Sequence, residues 1–347
     1  MPSTLFIRAD ASVSIGTGHI MRMIALGQAW QAQGGEVQFL CAEITSALEE
    51  RLASEGFQLW RISAVLGSKE DLGQTTHLIT ETLQADRQNA RVVLDGYQFG
   101  SDYQLGIKAA GFKLMVVDDY GHADFYHADW VLNQNISALE ELYAKRSPDT
   151  KLLLGPKFAM LRKEFLAYKD WQRQIAPVAK KILVTLGGSD PDNVTLQVIQ
   201  ALIDLDVHVK VVIGGSNPHL CEIENFIQSQ NDSTALIEVV VNATNMPELM
   251  VWADVAVAAG GSTSWELALM GLPALVFTFS ENQKEIALAI EDMGLGVYLG
   301  WANQETYKKF QNVFVNFLFN SDQRRKISIL GKSLIDGMGC LHICKNI

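Results

Sequence analysis

The stretch Ile15–Met23, IGTGHIMRM, places a histidine directly after Gly-Thr-Gly and three residues before an arginine. A short apolar run, TLFIRAD, precedes it. An amphipathic segment follows, with Ile20, Met23, Ile24, Gly27 and Trp30 along one side. His19 therefore falls in the first turn of a helix, and Arg22, three positions on, is its neighbour on the helix surface. A helix N-terminus and a nearby guanidinium both disfavour an imidazolium, so the pattern predicts a ring that is neutral at pH 7 and ready to accept a proton. A histidine that only hydrogen-bonds at a helix start fits the same pattern. The histidines at positions 77, 122, 127, 208, 219 and 342 have no comparable glycine context.

Carboxylates stand at two further strand ends. Asp95-Gly96-Tyr97 follows ARVVL, and Asp118-Asp119-Tyr120 follows KLMVV. They could orient His19, hold sugar hydroxyls, bind a metal or simply form turns. A metal on the Asp118 and Asp119 doublet is the weakest of these, because adjacent side chains on an extended segment diverge.

Glycine pairs recur where strands end: Gly16 and Gly18, Gly187 and Gly188, Gly214 and Gly215, Gly260 and Gly261. A missing side chain lets backbone amides approach a phosphate. Each pair alone reads equally as a turn, but four of them suggest anion-binding loops, three in the second half. Gly16-Thr17-Gly18 is not a dinucleotide fingerprint: Met21 stands where the third glycine belongs, and no acidic residue ends the next strand, GEVQFLC. No GKS or GKT ending is present, which excludes a P-loop. In AAGGSTSWELALMG, Thr263 and Glu266 have the spacing of a capping box. Alternatively, Glu266 accepts hydrogen bonds from the two hydroxyls of a ribose while amides of Gly260, Gly261 and Ser262 meet phosphate. Asn282 and Gln283, after the strand PALVFTF, could bind sugar hydroxyls or cap the next helix.

The elements that must position these residues alternate. β-rich runs (LFIRAD, GEVQFLC, FQLWRI, ARVVLD, KLMVVDD, with WVLNQN as a short addition) are separated by helical patterns ending at Gln33, Ser54 and Asn89. A second series runs through KKILVTLGGSD, HVKVVIGG, ALIEVVV, ADVAVAAGGS, PALVFTF and GVYLG. Such alternation predicts an α/β protein of two doubly wound halves, with ligands beyond the carboxyl ends of the strands in a central cleft. The expected division is residues 1–157, a linker over 158–178 containing Pro177, and residues 179–347.

Composition narrows the partners. The chain has 347 residues, 48% hydrophobic and 19% charged, enough apolar material for two cores. Its formal net charge is −11 and no basic stripe interleaves with aromatics, which argues against nucleic acid. A small anion is compatible with that charge, since local amides can hold a diphosphate. Four scattered cysteines fit a reducing cytoplasm, and Cys340, His342 and Cys344 lack the further ligand of a four-ligand metal set. No signal segment and no membrane span are expected.

Taken in order, RADxSxxIGTGHxxR, LDxY, DDY, LGGSD, GGSNP and AGGSxxWE followed by NQ resemble the UDP-2,4-diacetamido-2,4,6-trideoxy-β-L-altropyranose hydrolases of pseudaminic acid biosynthesis, over nearly the whole chain. The resemblance implies a GT-B-like fold, related to the glycosyltransferases that use UDP-N-acetylglucosamine for peptidoglycan precursors. It implies UDP bound mainly by the C-terminal domain and metal-independent cleavage at the anomeric carbon, without a cofactor, with His19 activating water. In this reading Gly187, Gly188, Gly260, Gly261 and Ser262 meet the diphosphate and Glu266 the ribose. The acetamido sugar lies near Asp10, Gly16, Gly18, Arg22, Asp95 and Tyr97. The tail GMGCLHICKNI and Trp265 depart from the family's pattern. The competing readings are a glycosyltransferase on the same fold and a nucleotide-sugar-binding protein without catalysis.

Overall fold

The computed structural model describes residues 4–83, 90–215, 217–230 and 232–347. They divide into two compact units, the first comprising the chain to Ile15, His19–Lys163 and Met338–Ile347, the second Gly16–Gly18 and Glu164–Gly337.

The first unit contains β1 (Thr4–Ala9), β2 (Glu36–Cys41), β3 (Gln58–Arg61), β4 (Ala90–Asp95), β5 (Lys113–Val117), β6 (Trp130–Asn133) and β7 (Lys151–Leu154). They form one parallel sheet in the order β3-β2-β1-β4-β5-β6-β7. The central strands are near-continuous apolar runs because helices cover both faces. Alternate residues split cleanly between the two faces: Leu5, Ile7 and Val93 pack with Ile20, Met23 and Ile24 of the helix Gly18–Gln31, whereas Phe6, Val92 and Leu94 pack with Ile107 and Tyr126.

The second unit contains β8 (Lys181–Thr185), β9 (His208–Ile213), β10 (Leu236–Val241), β11 (Val255–Ala259), β12 (Ala274–Thr278) and β13 (Val297–Trp301), again all parallel, in the order β10-β9-β8-β11-β12-β13. Its core joins Ile182, Val184, Val257 and Phe277 to Phe310 and Phe314 of the helix Gln304–Phe319.

Three features differ from the sequence-based expectation. The strand β7 lies at the sheet edge, is only four residues long and runs into Gly155-Pro156, so it carries no period long enough to separate it from a linker. The last ten residues do not join the second unit. The helix Gly339–Asn346 packs on the 3-10 turn Pro156–Phe158, buries Cys340, Ile343 and Cys344 in the first core, and needs Gly339 because a Cβ there would lie 2.1 Å from the Ala159 carbonyl oxygen. Residues 158–163 likewise belong to the first unit, with Phe158 and Met160 buried. The part of the third helix expected to reach Asn89 lies outside the described residues, which show that helix over Lys69–Leu83.

Among the described residues one stretch, Ser321–Asn346, is long and apolar enough to cross a membrane by length and composition alone, a test that core helices of folded domains also pass. It is divided into the helices Ser321–Leu334 and Gly339–Asn346, and the second of these is the packed tail just described.

Candidate active site

The strand order of the first sheet reverses between β1 and β4, the place where doubly wound sheets open a crevice at their carboxyl edge. Register makes that edge level: Ala9 pairs with Asp95, and Asp95 with Val117. The residues following β1, β4 and β5 are thereby brought together. Gly16 supplies the turn into the helix, at φ +80 where only glycine sits without strain.

His19 Nδ1 lies 2.6 Å from Asp95 Oδ1. A carboxylate only accepts, so Nδ1 carries the proton and Nε2 is left as the basic nitrogen. Arg22 clamps the same carboxylate through Nε at 2.8 Å to Oδ2 and Nη2 at 2.6 Å to Oδ1. Its Nη1 donates to both oxygens of Asp119, at 2.9 and 3.0 Å. Asp119 also accepts from the Tyr97 hydroxyl at 2.7 Å and Asn135 Nδ2 at 2.8 Å. The result is a buried chain, His19–Asp95–Arg22–Asp119, in which one cation is shared between two carboxylates. Burial alone would push the Asp95 carboxyl up, but Arg22 and His19 prevail and hold it below the ordinary range; Asp119 is lowered in the same way by Arg22. Arg22 thus stands beside His19, its Nη2 3.2 Å from Nδ1, and also braces Asp95.

Of the Asp118 and Asp119 doublet, only Asp119 joins His19's network. Asp118 is fully buried and accepts from the amides of Asp119, Tyr120, Gly121 and His122 and from the Tyr126 hydroxyl, so it shapes the loop after β5. His122 pairs with it at 3.1 Å, and although burial opposes the charge, Asp118 raises the His122 value above the ordinary one. Tyr97 stands edge-on to His19 with ring centroids 5.3 Å apart and contacts Tyr120 at 4.8 Å, forming an aromatic wall.

Asp10 sits in a buried brace. It is 1% exposed, and its oxygens accept from Arg8, Gln98 and the amides of Ala42 and Glu43. Arg8 in turn is held by Asp71, which also receives the Tyr103 hydroxyl. Asp10 fixes the ends of β1 and β2. This brace, like Asn135 and Asp119, joins residues far apart in sequence, and only the Asn-x-Asn at the end of β6 hints at any of it.

In the second sheet the order reverses between β8 and β11, and the glycine pairs Gly187 and Gly188, Gly260 and Gly261 follow those two strands. Gly187 has φ +92 and open space where a Cβ would stand, while a Cβ on Gly214, after β9, would lie 2.5 Å from the Cα and carbonyl oxygen of Gly188. Asp190, held at φ +40, caps the next helix by accepting from the amides of Val194 and Thr195, both at 2.9 Å. That helix start is therefore already occupied by a carboxylate.

The Gly260 and Gly261 amides donate to the carbonyls of Phe277 and Ala259, so donors for a ligand in this turn come from Ser262 onward. The helix begins at Thr263 with Ser262 as its cap, which puts Trp265 and not Glu266 at the capping-box position. Glu266 lies half-buried one residue further on. Trp265 is buried in the core at 1% exposure. Gln283 Oε1 accepts the Phe279 amide at 3.1 Å, realising the capping alternative, and Asn282 Oδ1 accepts the Ser280 hydroxyl at 2.6 Å.

Among the described residues no cluster of His, Cys, Asp and Glu is arranged to hold a metal. In the tail, Cys340 and Cys344 are buried thiols raised above their ordinary range by desolvation, and His342 Nδ1 lies 3.0 Å from the Lys157 carbonyl oxygen.

Comparison with known proteins bears on both units. Residues 182–328 match the model of the glycosyltransferase family 28 C-terminal domain. The chain is 26% identical over 285 residues to an uncharacterised protein of Methanocaldococcus jannaschii, covering 80% of this chain and 56% of that one. It is 22% identical to the spore coat polysaccharide biosynthesis protein SpsG of Bacillus subtilis, covering 97% and 95% of the two chains. It is 24% identical to the UDP-2,4-diacetamido-2,4,6-trideoxy-β-L-altropyranose hydrolase of Campylobacter jejuni, covering 84% and 98%. Thus the chain spans little more than half the length of the archaeal relative and nearly all of the other two. Among solved structures, MurG of Acinetobacter baumannii superposes with a TM-score of 0.67 at 15% identity, covering 99% of this chain and 98% of that one. LpCGTa, solved in complex with UDP, superposes at 0.66 with 12% identity, covering 100% and 99%. The chain has the GT-B fold of two Rossmann-like units.

Proposed function

We propose that this protein is a nucleotide-sugar hydrolase: it releases UDP and a free 2,4-diacetamido-2,4,6-trideoxy sugar from the UDP-linked sugar by attack of water at the anomeric carbon. The observation that carries the reading is the His19–Asp95 pair, because it fixes the tautomer in which Nε2 is a base. The Campylobacter jejuni relative, whose name states this reaction, supports the choice of substrate.

In the proposed step the water oxygen bonds to the anomeric carbon as its proton passes to His19 Nε2. The bond from that carbon to the diphosphate oxygen breaks, and UDP departs with the electron pair. Asp95 balances the imidazolium that forms, and Arg22 with Asp119 keeps Asp95 in place. Tyr97, Gly16 and Gly18 line the sugar's side. Ser262 and the Gly187–Gly188 loop stabilise charge growing on the leaving diphosphate, with Glu266 on the ribose and Asn282 beside it. General-base help of this kind contributes about a hundred- to ten-thousand-fold in rate.

The match of residues 182–328 to a glycosyltransferase domain favours a second reading, transfer to an acceptor hydroxyl that the same base deprotonates. One experiment separates the two. Incubation with the UDP-linked diacetamido sugar in oxygen-18 water should yield UDP and sugar labelled at the anomeric position. Label in phosphate, or UMP as product, rejects attack at carbon. Turnover that requires an added acceptor rejects hydrolysis in favour of transfer.

A further inference from the structure

We propose that the second unit carries a separate binding site for a phosphate-bearing small molecule, in a cavity of about 530 Å³ between the segment Lys169–Ile175 and the helix Ser321–Leu334. Its wall includes four cations, Lys169, Arg173, Arg325 and Lys332, and one carboxylate, Asp170. In a chain with 39 acidic against 28 basic residues, such a cluster runs against the background charge. Among the described residues none of the four cations is in an ion pair, so the cluster repels itself and an anion relieves it.

Arg173 is held rigidly for the purpose. Its three nitrogens donate to the backbone carbonyls of Met270, Ala253 and Met250, and its guanidinium lies 4.9 Å from the Trp171 ring centroid. Five guanidinium N–H groups less three used leaves two to donate. Lys332 similarly donates to the carbonyls of Lys169 and Leu269, both at 3.2 Å, which uses two of its three N–H groups. Neutral carbonyls orient these cations without cancelling their charge. Burial outweighs the opposing charge of Asp254 and lowers Arg173 to about 10.

The volume exceeds that of a bare phosphate and falls within the range of about 300–1,000 Å³ typical of metabolite sites. Ile175 and Ile329 give it an apolar side. The phosphate could belong to a soluble metabolite or to a lipid headgroup. Ile329 and Leu330 are 63% and 43% exposed on the same helix, where acyl chains would be met.

The test is calorimetric titration of the full chain with inorganic diphosphate at low ionic strength, beside a Lys169→Glu/Arg325→Glu variant. Both side chains are exposed and lie outside the proposed catalytic machinery, so the variant should fold and retain sugar-nucleotide turnover. Wild type should bind diphosphate and melt a few degrees higher in its presence. The variant should bind at least about ten-fold more weakly, in keeping with the strength of charge-assisted phosphate contacts. No binding to wild type, or equal binding to both proteins, overturns the proposal; the second result would place diphosphate elsewhere, including at the proposed UDP loops. Flotation with phosphatidylglycerol vesicles but not phosphatidylcholine vesicles, lost in the variant, would assign the lipid source. Diphosphate binding without flotation would assign the soluble one. The inference does not depend on the hydrolase reading.

Discussion

Asp95 is the residue on which the candidate site turns, since it joins the proposed base to the cation behind it. Replacing His19 by Asn should lower turnover of the UDP-linked sugar by about a hundred- to ten-thousand-fold with little change in KM. Asp95→Asn should fall in the same range, because an amide can no longer fix the tautomer or balance Arg22; near-normal turnover in either variant would remove His19 from the mechanism. Two opposite pH dependences of stability also follow. Asp95 has a folded value below its unfolded value of about 3.9, so its contribution is present above that pH and is lost as acid titrates through the lower folded value. His122 has a raised value, so its contribution is present below about pH 6.5 and is lost as pH rises through the folded value. A His122→Asn variant should therefore be destabilised mainly in acid and approach the parent in alkali; denaturation midpoints at the two ends check this, and an equal deficit at both would deny the ion pair a role. His19 and Asp95 were legible in sequence because His19 follows the glycines of the first strand–helix turn and Asp95 closes a strand just before a glycine. Asp119's hold on Arg22 was not, since it spans 97 positions and depends on how β4 and β5 align. The partners of Asp10 were hidden for the same reason: nothing in RAD announces that Arg8, Gln98 and two loop amides surround it.

At the scale of elements, glycine acts in two distinct ways. Gly16 has open space but positive φ, so Gly16→Ala should cost roughly 1–2 kcal/mol through backbone conformation alone and reduce turnover by shifting the start of the His19 helix. Gly214 has ordinary φ but no room, so Gly214→Ala must displace the Gly188 backbone, and UDP affinity measured by titration should fall by about ten-fold or more if that loop binds the nucleotide. Unchanged affinity would remove the loop from the nucleotide site. The strands and helices themselves were readable, because apolar runs and helical periods alternate without interruption. The failures came where local pattern does not set the boundary. The edge strand β7 is too short for a period, and the helix after β11 starts at Thr263, one position earlier than the capping-box spacing requires.

For the whole molecule, the division into two units was visible in the repeated strand series, but the destination of the tail was not. An amphipathic terminal helix offers its apolar face to any core, and only the close approach of Gly339 to Ala159 selects this one. A chain ending at Gly337 should lose stability in the first unit, with Ile343 alone accounting for about 1.5–3 kcal/mol of lost burial. Urea denaturation followed by Trp30 and Trp130 fluorescence would report it, and an unaltered midpoint would show the tail to be dispensable. The same arrangement bears on biosynthesis. Domains generally form in the order in which a ribosome delivers them. Here the unit carrying His19 is translated first, yet its core lacks a wall until Met338–Ile347 emerges, so the second unit can mature while the first is still waiting for its final turn of helix.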